Sequence, residues 1–477
     1  MSAQFLKPPP AVPDRVCAYG RTGDSRIQNR FFAIFCGQNS VGLFCLLLCL
    51  VVVPLHAQTP APQISEALAD DLGQLRTLTE TRSYAPALAL IDRLLSTAAA
   101  DSYDRTLLSQ IKAQVFIAQG DYSAAIAPLE TALHNGERLA HLPPAALADS
   151  LFLLAQLHQQ QASESKDPAV RRIVLARAVS VLRRWQARIQ KPTTDGQLFA
   201  ASLFYQQATL DPDHIDLAAL AEARRAAEAG LLLQTKPPAS LYVLLLATLQ
   251  QSADHTRAAE ILELLVEKSP DNTGYWQQLV STYLTLASTD EPSASRHNLR
   301  ALLALERAQA RGHLATPRDR FNLVALHLGL RQFDPAIALL EKGLADGSIE
   351  NTRRNWELLA NSYQQTLRVS QAVATLEKAV KALPDDGQLE FTLAQLHYAG
   401  ARPADARVHL ERAIAKGRLD HPGQARLFLA YIAYELQSFD EAARLISEAS
   451  AFDDVKKKDL ARLSKAIDEA RSRPTRP

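Results

Sequence analysis

The sequence predicts an all-α chain built by stacking helical hairpins, and three observations carry that prediction. Small and large apolar residues recur as paired helical stripes with a period of about 34 residues. Glycine is scarce, at 18 of 477 residues, which leaves little for the tight turns of an all-β chain or for phosphate-cradling loops. Hydrophobic residues make up 47% of the chain, too many for a disordered polymer. The charges, 52 basic against 51 acidic, show none of the basic excess that a nucleic-acid binder uses to displace counterions.

Taken in order, the chain begins with a segment that reads as an export signal. Arg21, Arg26 and Arg30 precede the uncharged run VGLFCLLLCLVVVPL at 41–55, and His56-Ala57 follows. This run is shorter than the roughly 20 apolar residues of a spanning helix, and the charge pattern fits a cleaved secretory signal. The expectation is cleavage after Ala57 and a periplasmic location, with an inner-membrane anchor at residues 41–55 as the alternative. Cys49 follows the bulky Leu48, which disfavours a lipoprotein signal. Met1 is the sole methionine and the first forty residues lack helical period, so the start is expected downstream, near Val41. All four cysteines (Cys17, Cys36, Cys45, Cys49) precede Ala57, leaving a mature chain that can cross an oxidising compartment without mispairing. Its loss of five basic and two acidic residues keeps the balance near neutral.

Residues 58–65 read as an extended linker, 66–235 as irregular helical hairpins and 236–452 as a regular array. A capping helix and tail follow over 453–477. The clearest repeat has Trp356, Leu359, Ala360 and Tyr363 on its first helix, then Ala372, Leu376 and Ala379 on its second, then Pro384. These offsets are those of the tetratricopeptide repeat. Trp276, Leu279 and Tyr283 open another unit. Leu393, Ala394, Ala406, Leu410 and Ala413 form the next, and Leu429, Ala430, Phe439, Ala442, Ile446 and Ala449 the last. Ala113, Phe116, Gly120, Tyr122, Ala125, Leu129 and Ala132, and Tyr84, Ala87 and Ile91, extend the pattern upstream. Small residues sit where paired helices cross closely, and a single hairpin cannot bury its own apolar face. The fold predicted is therefore a tetratricopeptide-type right-handed α-solenoid of roughly ten hairpins with a charged C-terminal capping helix.

No dinucleotide, P-loop, nucleophile-elbow or H-E-x-x-H pattern is present. His327 and His397 occupy the position of Tyr363 and read as packing residues. Asp385 and Asp386 precede a helix and read as caps. Trp276 and Trp356 belong to the repeat core, while Arg183 and Arg184 beside Trp185 form either a binding spot or a solvated face. The reading is non-enzymatic, with no cofactor and no metal. Binding is expected on the concave face of the first helices, whose outward offsets also include Glu357, Gln388, Phe391 and Leu427. The partner-binding candidates are Arg354, Asn361, Gln365, Gln395, Tyr398, Gln424 and Tyr431, which mix amides with aromatics suited to an exposed backbone. Glu357 stands where a carboxylate-clamping repeat needs a Lys, which disfavours an adaptor for C-terminal carboxylates.

The segments GYWQQLVSTY (274–283), LLEKGLADGSIE (339–350), NWELLANSY (355–363), LEKAVKALPDDGQLEFTLAQLHY (376–398) and HLERAIAKGRLDHPGQARLFLAYIAYE (409–435) go beyond the bare repeat. They resemble periplasmic tetratricopeptide proteins associated with TonB–ExbB–ExbD energy-transduction systems. Gly347-Ser348-Ile349-Glu350 and Lys416-Gly417-Arg418-Leu419 carry the likeness most specifically. The resemblance implies a protein-binding scaffold, with a TonB-system component as partner and no catalytic residues to carry over. The alternatives are a scaffold for envelope, wall or pilus assembly and, from a different class, a hydrolase built on the irregular region 148–235.

Overall fold

The computed structural model describes residues 63–472. The signal region, its cysteines, the apolar run and the first part of the linker lie outside the described residues. Twenty-one α-helices and one short 3-10 turn account for the regular structure among the described residues, with no strand. No helix there is long and apolar enough to cross a membrane.

The helices alternate as antiparallel pairs. The first pairs are α1 (Glu66–Glu80) with α2 (Tyr84–Thr97), α3 (Tyr103–Gln119) with α4 (Tyr122–Arg138), and α5 (Pro144–Glu164) with α6 (Pro168–Gln186). Then come α7 (Thr194–Ala208) with α8 (Leu217–Leu231) and α9 (Ala239–Gln251) with α10 (His255–Lys268). The next three pairs are α11 (Thr273–Thr289) with α12 (Ala294–Ala310), α13 (Pro317–Gly329) with α14 (Phe333–Asp346), and α15 (Arg353–Gln365) with α16 (Val369–Ala382). The series closes with α17 (Gly387–Ala399) and α18 (Pro403–Lys416), α19 (Pro422–Glu435) and α20 (Phe439–Ala449), and the final helix α21 (Lys457–Arg471). The fold is thus an all-α solenoid type with ten hairpins and a cap among the described residues. The chain divides into two compact units between Leu265 and Val266, inside α10.

Most of the first helices start where an N-cap side chain takes over free backbone N–H groups; α5, α9 and α19 lack one. Ser102 accepts from the Arg105 N–H at 3.1 Å, Asp386 from Gln388 and Leu389, and Thr316 forms a reciprocal capping box with Asp319. The turn inside most hairpins also recurs. Arg82, Gly120, Ala253, Arg331, Leu367, Ala401 and Gln437 each adopt positive φ two residues before the second helix. The following N–H reaches back to a carbonyl of the first helix at 2.8–3.0 Å, as in Arg368 to Tyr363 and Arg402 to His397. This left-handed cap satisfies a helix-end carbonyl and reverses the chain in few residues. Glycine holds only one of the seven positions. The hairpins α5–α6, α7–α8 and α11–α12 use other connections.

The repeat residues form the core as their spacing requires. Leu359, Ala360, Tyr363, Ala372, Leu376 and Ala379 are buried in one continuous cluster with Ala336, Leu340 and Ile349. Ala394, Ala406, Leu410, Ala430, Ala442 and Ala449 form another with Ile467 of α21, which covers the last hairpin. Trp356 is half-buried, whereas Trp276 is 1% exposed and its indole N–H donates to the Pro270 carbonyl. Trp185 is core too, packed on Phe152 with ring centroids 4.9 Å apart and against Gly196.

The two segments outside the repeat pattern now have a packing role. Gly347 ends α14 with a φ of +74°, and Ile349 folds back so that its N–H bonds the Gly343 carbonyl. A Cβ on Gly343 would lie 2.4 Å from the Ile349 side chain. Likewise a Cβ on Gly387 would lie 2.0 Å from the Gly417 carbonyl oxygen. Close backbone approach requires glycine at that contact.

Candidate functional site

Within the second unit, the first helices α15, α17 and α19 carry the strip singled out in the sequence. Its members occupy corresponding offsets: Asn361, Gln395 and Tyr431 each lie two residues before the helix position whose carbonyl accepts the hairpin cap. The structure brings part of the strip together. The Tyr398 ring meets Tyr431 edge-on at 6.2 Å and Phe428 at 5.2 Å, and Phe391 meets Phe428 at 6.2 Å. These four rings bridge α17 and α19 as one aromatic cluster. Phe428 is its buried centre, while Tyr398, Tyr431 and Phe391 stay half-exposed.

Tyr398 is also held at its polar end. Its hydroxyl donates to Glu435 Oε1 at 2.9 Å. Burial, the hydrogen bond to Glu435 and that carboxylate's charge push the phenol well above its ordinary range, so it stays a donor. Tyr363, one repeat earlier, behaves the same way toward Glu341. Burial and that bond push it up to about 12.

The opposite, N-terminal end of the strip is ionic. Arg353 Nε bonds Asp386 and its Nη1 bonds Asp420, both at 2.8 Å. Gln388 accepts from the Asp420 backbone N–H through its amide oxygen. Glu357 is half-buried in this setting. Burial, opposed by Arg353 and reinforced by Asp420 and Asp386, raises its carboxyl above the ordinary range. Gln424 donates to the Asp454 carbonyl at 3.1 Å, and Asp454 caps the start of α19 through the Gly423 and Gln424 N–H groups. Gln424 is therefore committed to holding the last hairpin against the segment that leads to α21. Arg354 lies over the Phe321 ring at 5.8 Å, apart from the aromatic cluster. Asn361 and Gln395 are half-buried, Gln365 is exposed and Leu427 is buried.

Two features escaped the sequence reading. Phe428 falls between the strip offsets and was invisible as a ring partner, because only stacking of neighbouring helices places it under Tyr398. The second is Glu390, 2% exposed, which receives His409 Nδ1 at 2.7 Å and Lys416 Nζ at 2.8 Å. Glu390 stands at the repeat position of Trp276 and Trp356, and a carboxylate there was the available signal. Burial alone would raise its carboxyl, but the hydrogen bonds and charges of His409 and Lys416 hold it below the ordinary range. His397 stacks flat on His409 at 5.0 Å, and neither of its ring nitrogens has a hydrogen-bond partner among the described residues. His327, by contrast, is buried with Nδ1 bonded to Gln332. Among the described residues, no three His, Cys, Asp or Glu side chains are placed to hold a metal ion.

No family model matches the chain, and no curated relative does. Many solved structures align with it at low identity. One is a complex described as Naa15/Naa10 bound to HypK-THB, at 15% identity and a TM-score of 0.25, covering 82% of this chain; the chain spans 64% of that one. A second is YrrB, described as a TPR protein with an unusual peptide-binding site, at 13% identity and a TM-score of 0.31, covering 44% of this chain and 100% of that one. A third is PilW, described as a widely conserved type IV pilus biogenesis factor, at 16% identity and a TM-score of 0.30, covering 47% of this chain and 96% of that one. Superpositions this loose carry no argument about function, so the assignment to tetratricopeptide-type hairpins rests on the helix pairs and buried repeat residues described above.

Proposed function

We propose that the chain is a non-enzymatic periplasmic scaffold that captures a protein or peptide partner along α15, α17 and α19, as an accessory of a TonB-type energy-transduction complex. The observation that carries the binding reading is the half-exposed cluster of Tyr398, Tyr431 and Phe391 over Phe428. It lies in one strip with the amides of Gln395 and Asn361. Aromatic rings offer contact area at small entropic cost, and amides satisfy an exposed backbone, which together suit an extended or helical segment. The export pattern at residues 21–57 supports the compartment, and the segments resembling TonB-associated proteins support the system.

A photo-crosslinking residue at position 395, introduced in intact cells, tests this reading. The expected adduct contains a TonB-system component, and its yield falls sharply in Tyr398→Phe/Tyr431→Ala. Adducts with wall-synthesis or pilus proteins alone would reject the TonB assignment. Undiminished capture by the double variant would place the binding groove elsewhere.

A further inference from the structure

The first unit carries a second surface, unrelated to the aromatic strip. Between 166 and 191 the chain holds eight basic residues and one acid, Asp167, within a sequence whose total charge is nearly zero. Asp167 is spent as the cap of α6, accepting from the Ala169 N–H. Of the arginines, Arg184 and Arg188 share a single carboxylate, Glu137 of α4, at 2.7 and 3.0 Å. Arg172, Arg177 and Arg183 are exposed and have no carboxylate within ion-pair distance among the described residues.

Helix geometry sorts this face into a floor and two rims. At 100° per residue, Ile173, Ala176, Ser180 and Ala187 share the middle of the exposed sector, with Ile173 at its N-terminal end. Arg172 and Arg183, three turns apart, run along one side, and Arg177, Arg184 and Arg188 along the other. The floor is open from Ala176 to Ala187: these two, Val179, Ser180, Arg183, Arg184 and Arg188 border a shallow groove of about 510 Å³.

We infer that this face of α6 is a docking surface for an acidic stretch of a partner polypeptide. The charge excess selects an anionic occupant, and the planar guanidinium forks match carboxylates in pairs. Between Ala176 and Ala187, beyond Ile173, the exposed floor is small enough for a backbone to approach between the rims. A lipid surface fits less well, because helices that lie on membranes bury Trp, Phe or Leu, and the large apolar residues exposed on this helix are Val170 and Ile173 alone. The chain's own N-terminal segment is not the occupant, since Asp14 and Asp24 are its only acids before Glu66.

The test uses the full chain with a fluorescein-labelled oligo-glutamate peptide, read by anisotropy at rising salt. Two variants accompany it, Arg172→Glu/Arg177→Glu/Arg183→Glu and the charge-neutral Ser180→Trp, each checked for an unchanged Tm. Binding that weakens with salt and falls about tenfold or more in both variants supports the groove, since it needs both the charges and the open floor. Loss in the charge variant with full binding in Ser180→Trp would reduce the face to diffuse attraction and overturn the proposal. Failure to bind the peptide, with binding to phosphatidylglycerol vesicles instead, would overturn it in favour of a membrane surface. Sedimentation showing self-association abolished by the charge variant would overturn it in favour of a second copy.

Discussion

The two units use one repeat under different rules. Helices α13 to α18 of the second unit alternate between 13 and 14 residues. In the first unit, lengths run from 13 residues in α9 to 21 in α5. Constant length keeps equivalent offsets in register from one hairpin to the next, so side chains 34 to 36 residues apart, such as Asn361, Gln395 and Tyr431, fall into one strip. Variable length breaks that register, and the first unit instead presents its distinctive chemistry along a single helix, α6. Regular stacking brings side chains of neighbouring first helices together, as with Tyr398 and Tyr431, whereas the basic residues of α6 lie along one helix.

The largest effect that would sharpen this contrast is loss of the core tryptophans. Trp185→Ala in the first unit and Trp276→Ala in the second should each cost about 3–5 kcal/mol. Because repeats contact mainly their neighbours, hydrogen exchange should accelerate around the altered hairpin and stay near wild type in the other unit. Uniform acceleration along the whole chain would show that the units unfold together.

A smaller loss should follow from Glu390→Ala, about 1–3 kcal/mol, as His409 and Lys416 lose their shared acceptor. The pH dependence has a definite sign. With the folded carboxyl held below its unfolded value, the stabilisation is complete above the unfolded pKa and disappears as pH falls through the folded one. Urea midpoints should therefore drop in acid for the wild type, and Glu390→Gln should flatten that limb. An equally steep limb in Glu390→Gln would assign the acid sensitivity to other carboxylates.

One histidine in each unit gives a milder test at higher pH. His158 and His397 are 1% and 5% exposed, and burial lowers both below the ordinary imidazole value. The unfolded chain then binds protons more readily, so stability present above about pH 6.5 is lost as pH falls below it. His158→Gln should flatten this loss in the first unit and His397→Gln in the second, as read by hydrogen exchange unit by unit.

The smallest effect concerns the hairpin turn. Leu367 holds a left-handed conformation while 89% exposed, so a leucine there carries strain without burial. Leu367→Gly should raise stability by about 0.5–1 kcal/mol, strain relief exceeding the added freedom of the unfolded chain. A decrease in Tm would show that the leucine contributes contacts beyond its exposure.

Much of this architecture was legible in the residues. The period, the small-large alternation from Trp356 to Ala379 and the charged end predicted the hairpins and the final helix, because apolar spacing on a helix dictates which face is buried. The offsets also located Tyr398 and Tyr431 on a common strip. Nothing in the order of residues showed that Phe428 joins their rings, that Gln424 is tied to Asp454, or that His409 and Lys416 converge on Glu390. Those contacts link residues from different helices, and their geometry depends on how neighbouring hairpins pack. The turns divide the same way. Scarce glycine was visible at once, but that six other residues adopt the left-handed cap was decided only when packing of both helices fixed where the chain had to reverse.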